Sequence, residues 1–170
     1  MVADRGVSTP CRFWQREAMA ILLVVHHTPS PTLAEMLEAT LAGARDPEIE
    51  GVEVRVRAAL TCSPVEVLEA DGYLLGTPAN LGYMSGALKH FFDSAYYPCL
   101  HETVRRPYGL YVHGGSDTTG AVRSVESVTT GLQWRRVRPP VEIAGPPTRD
   151  TLAACTELGA VVAAELMPEQ

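Results

Sequence analysis

The sequence predicts a three-layer α/β domain, with helices on both faces of a five-stranded parallel sheet in the strand order 2-1-3-4-5. Three observations carry this reading. Short apolar runs alternate with stretches of helix-spaced apolar residues from residue 20 onward, and that alternation with right-handed crossovers builds a parallel sheet. The run 20–25 is continuously apolar and branched, as a strand covered on both faces must be. Val52, Val54 and Val56 instead alternate with Glu53, Arg55 and Arg57, which suits a strand at the sheet edge. The order 2-1-3-4-5 puts the first of these strands inside and the second outside.

Each element has a local cause. After the first strand and the polar stretch 26–32, Leu33, Met36, Leu37, Leu41 and Ala44 recur at helical spacing, and Asp46 and Pro47 end that helix. Behind the alternating strand, Ser63, Pro64 and Glu66 supply an N-cap, a first-turn proline and a capping-box carboxylate for a short helix ending before Gly72. Tyr73, Leu74 and Leu75 form a buried third strand, terminated by a loop over 76–82. Met84, Ala87, Leu88, Phe91, Phe92 and Ala95 mark a second long helix. Leu110, Tyr111 and Val112 make a fourth strand, a loop follows over 113–120, and Val122, Val125, Val128 and Leu132 trace the next helix. The fifth strand, 141–144, is hemmed in by Pro139, Pro140, Pro146 and Pro147, which suits an edge. A last helix runs from about Thr151 to Leu166.

Bulk composition agrees with one domain. The chain has 170 residues, 46% of them hydrophobic and 20% charged, enough for a packed core. Its net charge of −6 argues against a reader of phosphate backbones, which needs clustered Lys and Arg, so no nucleic-acid partner is expected. The longest apolar stretch falls far short of the ~20 residues of a bilayer span, so no membrane partner is expected either. Residues 1–18 mix Arg5, Arg12, Arg16 and Pro10 with acidic residues and hold no continuous apolar run. They read as a disordered extension without a secretory signal, ahead of a domain over 19–170. Cys11, Cys62, Cys99 and Cys155 are widely spaced, which reads as reduced and cytoplasmic rather than as a zinc or dithiol motif.

In open α/β sheets the ligand sits beyond the carboxyl ends of the strands where the winding direction reverses, here between the first and third strands. Three loops meet there: those after the first, third and fourth strands. The second of them reads Gly76, Thr77, Pro78, Ala79, Asn80, Leu81, Gly82, Tyr83, Met84, Ser85, Gly86. This stretch resembles the flavin loop of quinone oxidoreductases of the tryptophan-repressor-binding-protein type and of related NADPH-dependent FMN reductases. Those proteins carry G-[ST]-P, a few variable residues and then G-x-M-[SA] leading into a helix. Leu88, Lys89, Phe91, Phe92 and Asp93 continue in the same style, and the likeness extends more weakly over 20–166.

The resemblance implies a flavodoxin-like fold, bound FMN, and electron transfer from NAD(P)H to a quinone or other small acceptor by a homodimer or higher homo-oligomer. It places Pro78, Ala79, Asn80, Leu81, Gly82 and Tyr83 along the flavin ring, with Met84 starting the helix behind. Inward-facing amides there would favour the negative charge that reduced flavin gathers. Without a ligand, the same residues would build a plain strand-to-helix turn. The resemblance also puts FMN phosphate on the first loop, with Thr28, Ser30 and Thr32 as hydroxyl donors at a helix N-terminus. In that loop Pro31 stands where relatives usually have glycine and Pro29 lies two residues before it, so two backbone donors are absent. Ser30 as N-cap and Pro31 as first helical residue account for the same dipeptide without a ligand. The third loop, with His113, Gly114 and Gly115, lies where the resemblance implies contact with the pyrimidine and ribityl side; it also reads as a plain βα loop.

Other residues read otherwise. His26 and His27 lack the carboxylate company of a metal site, and no metal or catalytic acid, base or nucleophile is expected. The resemblance implies that Tyr96 and Tyr97 reach a neighbouring subunit's flavin; packing is the alternative. Trp134, Arg135, Arg136 and Arg138 form a small basic cluster that reads as a solvated edge or a nicotinamide phosphate contact. Cys62 and Cys99 read as buried small hydrophobes. Two further functions stay open: a flavodoxin-type electron carrier, and a flavodoxin-like module with weak or no FMN binding.

Overall fold

A computed structural model of the chain describes residues 19–168; the expected extension over 1–18 lies outside the described residues. Strand β1 (Ala20–His26) is followed by α1 (Pro31–Ala44), β2 (Val52–Ala58), α2 (Pro64–Glu69) and β3 (Gly72–Asn80). Then come β4 (Tyr83–Met84), α3 (Gly86–Cys99), β5 (Pro107–Gly114), α4 (Thr119–Gly131), β6 (Arg135–Arg136), β7 (Val141–Ala144) and α5 (Arg149–Ala164).

The caps form as the local sequence asks. Ser30 caps α1 with Pro31 in its first turn, and Ser63 with Glu66 closes a capping box on α2. The sheet runs β2-β1-β3-β5, with β6 and β7 both beside β5. Its central register pairs His26 with Gly76 and Pro78 with His113.

The strand count corrects the expectation of five, because the sheet has seven strands. Two causes account for the extra pair. The far edge is split: Pro107 and Tyr108 pair with β6, residues 111–114 pair with β7, and Pro139 and Pro140 interrupt the line between them because proline offers no N–H. With β7 as the fifth strand the order is the expected one. The second addition is β4, which folds back antiparallel on the end of β3, so residues expected as a loop from 76 continue as strand to Asn80.

Side-chain alternation sends Leu23, Val25, Tyr73, Leu75, Leu110 and Val112 to one face, under α2, α3 and α4. Leu22, Val24, Leu74 and Tyr111 go to the other, under α1 and α5. The layer of α1 and α5 closes backbone to backbone: a Cβ on Gly43 would stand 1.8 Å from the Thr156 carbonyl oxygen, and one on Gly159 2.0 Å from that of Thr40. Such an approach requires glycine. Burying both faces leaves the carboxyl ends of the strands as the place where loops are free to carry chemistry.

Candidate functional site

The three expected loops converge at those carboxyl ends, with β3 between the other two. The first is pinned to β3 by the His27 amide donating to the Gly76 carbonyl at 2.9 Å. The third approaches β3 from the other side, where a Cβ on Gly114 would lie 3.2 Å from the Cβ of Ala79.

In the first loop, Ser30 Oγ accepts the amide of Leu33 at 3.3 Å, which realises the capping reading and leaves the serine hydroxyl hydrogen unspent. Thr28 Oγ1 lies 2.8 Å from His26 Nδ1. Thr32 sits half-buried in the first turn of α1. Among the described residues, the amides of Thr28, Ser30 and Thr32 find no acceptor. The buried Nδ1 of His27 also has no partner. Burial, and secondarily the neighbouring His27, push the His26 imidazole below its ordinary range.

The second loop is a tight β-hairpin. Pro78 is buried and Ala79 half-buried on β3, Asn80 pairs with Tyr83, and Ala79 pairs with Met84. Leu81 and Gly82 form the tip with φ of 51° and 72°, the left-handed pair that a two-residue hairpin turn requires. Leu81 is fully exposed, Tyr83 is 43% exposed and Met84 is buried. The amides of Leu81 and Gly82 likewise find no acceptor among the described residues. Behind the hairpin, Thr77 Oγ1 accepts the Ser85 amide at 3.0 Å, and Ser124 Oγ on α4 accepts the Met84 amide at 3.0 Å. Gly120 of α4 lies against the Gly82 carbonyl. Sequence reasoning missed Ser124, which belongs to no local pattern, and read Gly120 only as the end of the loop over 113–120 and not as a support of the hairpin.

The loop expected from 113 begins later, because His113 and Gly114 still pair with β7 and belong to β5; from that strand end His113 Nε2 lies 2.9 Å from the Gly145 carbonyl oxygen. A carbonyl only accepts, so Nε2 carries the hydrogen and donates. Nδ1 is then the ring nitrogen left for any further contact. Gly114 is buried, whereas Gly115 faces open space. Asp117 Oδ1 accepts the Thr119 amide at 3.0 Å at the start of α4, and that bond holds its carboxyl below the usual range.

The remaining candidates stand elsewhere. Tyr96 packs against Gly131 and Tyr97 is exposed, both at the end of α3 away from the hairpin. Arg135, Arg136 and Arg138 pair with Glu165, Glu126 and Glu157, a solvated, charge-paired edge. Among the described residues, no three His, Cys, Asp or Glu side chains gather closely enough to share a metal ion, and no helix is long and apolar enough to cross a membrane.

The donor set fits a phosphorylated, flat, electron-rich ligand. Hydroxyls and unpaired amides stand at a helix N-terminus, further unpaired amides lie on a hairpin, and Gly115 stands in open space just past the end of β5. No family model matches the chain. Over 75 residues it is 37% identical to a flavodoxin of Aquifex aeolicus (strain VF5), a match covering 44% of this chain and 40% of that protein. It is 30% identical over 95 residues to an NAD(P)H dehydrogenase (quinone) of Acidithiobacillus ferrooxidans, covering 44% of this chain and 46% of the relative. Each match therefore spans less than half of the curated relative's length. Among solved structures, a flavodoxin from the domain Archaea superposes with a TM-score of 0.72 at 20% identity, over 86% of this chain and 98% of that one.

Proposed function

Starting from a chain of flavodoxin-like fold with a flavodoxin and an NAD(P)H dehydrogenase (quinone) as partial relatives, we propose that it is an FMN-dependent oxidoreductase. Electrons pass from NAD(P)H to a quinone or other small acceptor. One observation carries the reading: unpaired amides of the loops after β1 and β3 point a donor set at one end of the sheet, where a ligand supplies the missing acceptors.

Thr28, Ser30 and Thr32 hold the phosphate with their hydroxyls and amides. Pro78, Ala79, Asn80 and Tyr83 wall one side of the ring, and the amides of Leu81 and Gly82 face its polar edge. Gly114 and Gly115 let the chain approach closely opposite, and His113 orders that loop through Gly145. Met84, anchored by Ser124, fixes the hairpin so that the wall is already in place before the ligand arrives. When bound, FMN supplies the hydride acceptor and the onward electron donor. The protein's part is to orient two flat molecules and exclude water, which requires no acid, base or nucleophile.

The acceptor is a small molecule rather than a nucleic acid or membrane, and the protein works as a homo-oligomer. Cys62, Cys99 and Cys155 are free and buried, which supports the cytoplasm as its compartment. The test is oxidation of NADPH and NADH by purified protein with FMN and a soluble benzoquinone. Turnover that requires both protein and FMN supports the enzyme. The flavodoxin relative favours a second reading, a one-electron carrier, for which FMN binds but NAD(P)H is not consumed until a reductase is added.

A further inference from the structure

β1 delivers two histidines in succession to the phosphate loop, and only one of them is engaged. His26 is half-buried, and its Nδ1 shares a hydrogen bond of 2.8 Å with Thr28 Oγ1. One hydrogen lies between those two atoms, and its owner decides what Thr28 can do. When Nδ1 is bare, the threonine hydroxyl must donate to it, and only oxygen lone pairs remain to face a phosphate. When Nδ1 carries a hydrogen, the ring donates to Oγ1 and the threonine O–H is released to donate outward. The first arrangement repels a phosphate oxygen and the second binds it; a neutral ring with its one hydrogen on Nδ1 already does so, and a further hydrogen on Nε2 adds a positive charge behind the bond, which a phosphate favours.

We infer that His26 is the positioning residue for phosphate in this loop. Binding of a phosphorylated flavin draws one proton from solvent onto the His26 imidazole, which turns Thr28 from acceptor into donor. The inference rests on the FMN reading above. Pro29 and Pro31 sharpen the need, because a loop with two fewer amides depends more on each hydroxyl.

The surroundings leave this proton free to respond to the ligand. Ala58 of β2 and Gly76 of β3 flank His26 in register, both uncharged. The first turn of α1 holds no acidic residue. Arg57, the charge next along β2, is committed to Glu66 of α2. Burial, and after it His27, the one titratable neighbour that acts on the ring among the described residues, lowers the His26 pKa below its ordinary value.

The experiment compares the wild-type chain with His26→Asn, whose amide keeps a hydrogen donor at the place of Nδ1 without titrating. FMN and riboflavin are titrated calorimetrically between pH 6 and 8 in buffers of different ionisation enthalpy, with circular dichroism confirming the fold. For the wild type we expect FMN affinity to rise as pH falls, by up to about tenfold per pH unit for a single linked proton. Proton uptake should exceed that of His26→Asn by a large fraction of one. The second ionisation of the FMN phosphate is common to both proteins and cancels in the comparison. Riboflavin, lacking the phosphate, should show no such excess. FMN binding with the same pH profile and the same proton uptake in both proteins would overturn the role of His26 while leaving the flavin site standing. Failure of both to bind FMN at any pH would overturn the flavin reading and this inference together.

Discussion

The carbonyl oxygen of Gly82 rests directly on Gly120, so that a Cβ added to Gly120 would stand 1.9 Å from it. This contact joins the tip of the β3–β4 hairpin to the first turn of α4. Gly120→Ala must push one of the two elements away. Overpacking of this kind destabilises by about 1–3 kcal/mol, and we expect that loss in urea denaturation together with weaker FMN binding. Ser124→Ala acts on the same joint by leaving the Met84 amide without its acceptor, at a cost of roughly 1–3 kcal/mol. Wild-type stability and FMN affinity in both variants would refute a supporting role for α4.

Tyr111 lies over Gly76 on the opposite face, with its ring atoms 2.1 Å from where a Gly76 Cβ would be. Its hydroxyl is buried without a hydrogen-bond partner, and burial drives its ionisation far upward. Removing an unsatisfied buried hydroxyl recovers its desolvation cost, roughly 1–3 kcal/mol. Tyr111→Phe should therefore raise the melting temperature, and Gly76→Ala should lower it sharply. Scanning calorimetry reads both.

The fold was legible wherever its cause is local. The capping box of Ser63 and Glu66 and the N-cap of Ser30 before Pro31 are short-range chemistry, and the apolar and alternating strands announce their places in the sheet. The stretch 76–82 misled for a physical reason. Gly, Pro and Asn are turn formers, yet Pro78 and Asn80 lie on a strand, and the left-handed turn falls on Leu81 and Gly82. Leucine carries no signal for that conformation. The two-residue strands β4 and β6 exist only because β3 and β5 lie alongside them, which no window of sequence contains. At the site, the three loops were legible from topology. The supports Ser124, Gly120 and Gly145 come from distant parts of the chain.

Arg106 closes the far end of α2. One guanidinium nitrogen, Nη1, lies 2.9 Å from the carbonyl oxygens of both Val67 and Leu68, against that of Ala70, and 3.1 Å from the Tyr73 hydroxyl oxygen, and its two hydrogens are shared among these acceptors. These carbonyls are the ones a helix end leaves unpaired. Arg106→Met keeps the side-chain bulk and removes every donor, so we expect a loss of roughly 3 kcal/mol. Tyr73 stacks on Trp134 with ring centroids 3.9 Å apart, so Trp134 fluorescence should report the disturbance. Unchanged stability would show that water replaces the guanidinium.

His26 also ties stability to pH. Its folded-state pKa lies below the ordinary 6.5, so the unfolded chain takes up the proton more readily than the folded one. This contribution to stability is complete above about 6.5 and is lost as pH falls through the interval between the two values. Without ligand, the denaturation midpoint of the wild type should drop between pH 7 and 5 by more than that of His26→Asn. Equal drops would show that His26 does not contribute.

The most direct measurement of the central claim is a titration of the purified chain with FMN, followed by flavin absorbance and fluorescence, beside an identical titration with riboflavin. The convergence of hydroxyls and unpaired amides at the ends of β1 and β3 predicts saturable FMN binding with a shifted flavin spectrum, tighter than that of riboflavin. Flavin bands unchanged at a large excess of FMN would contradict it.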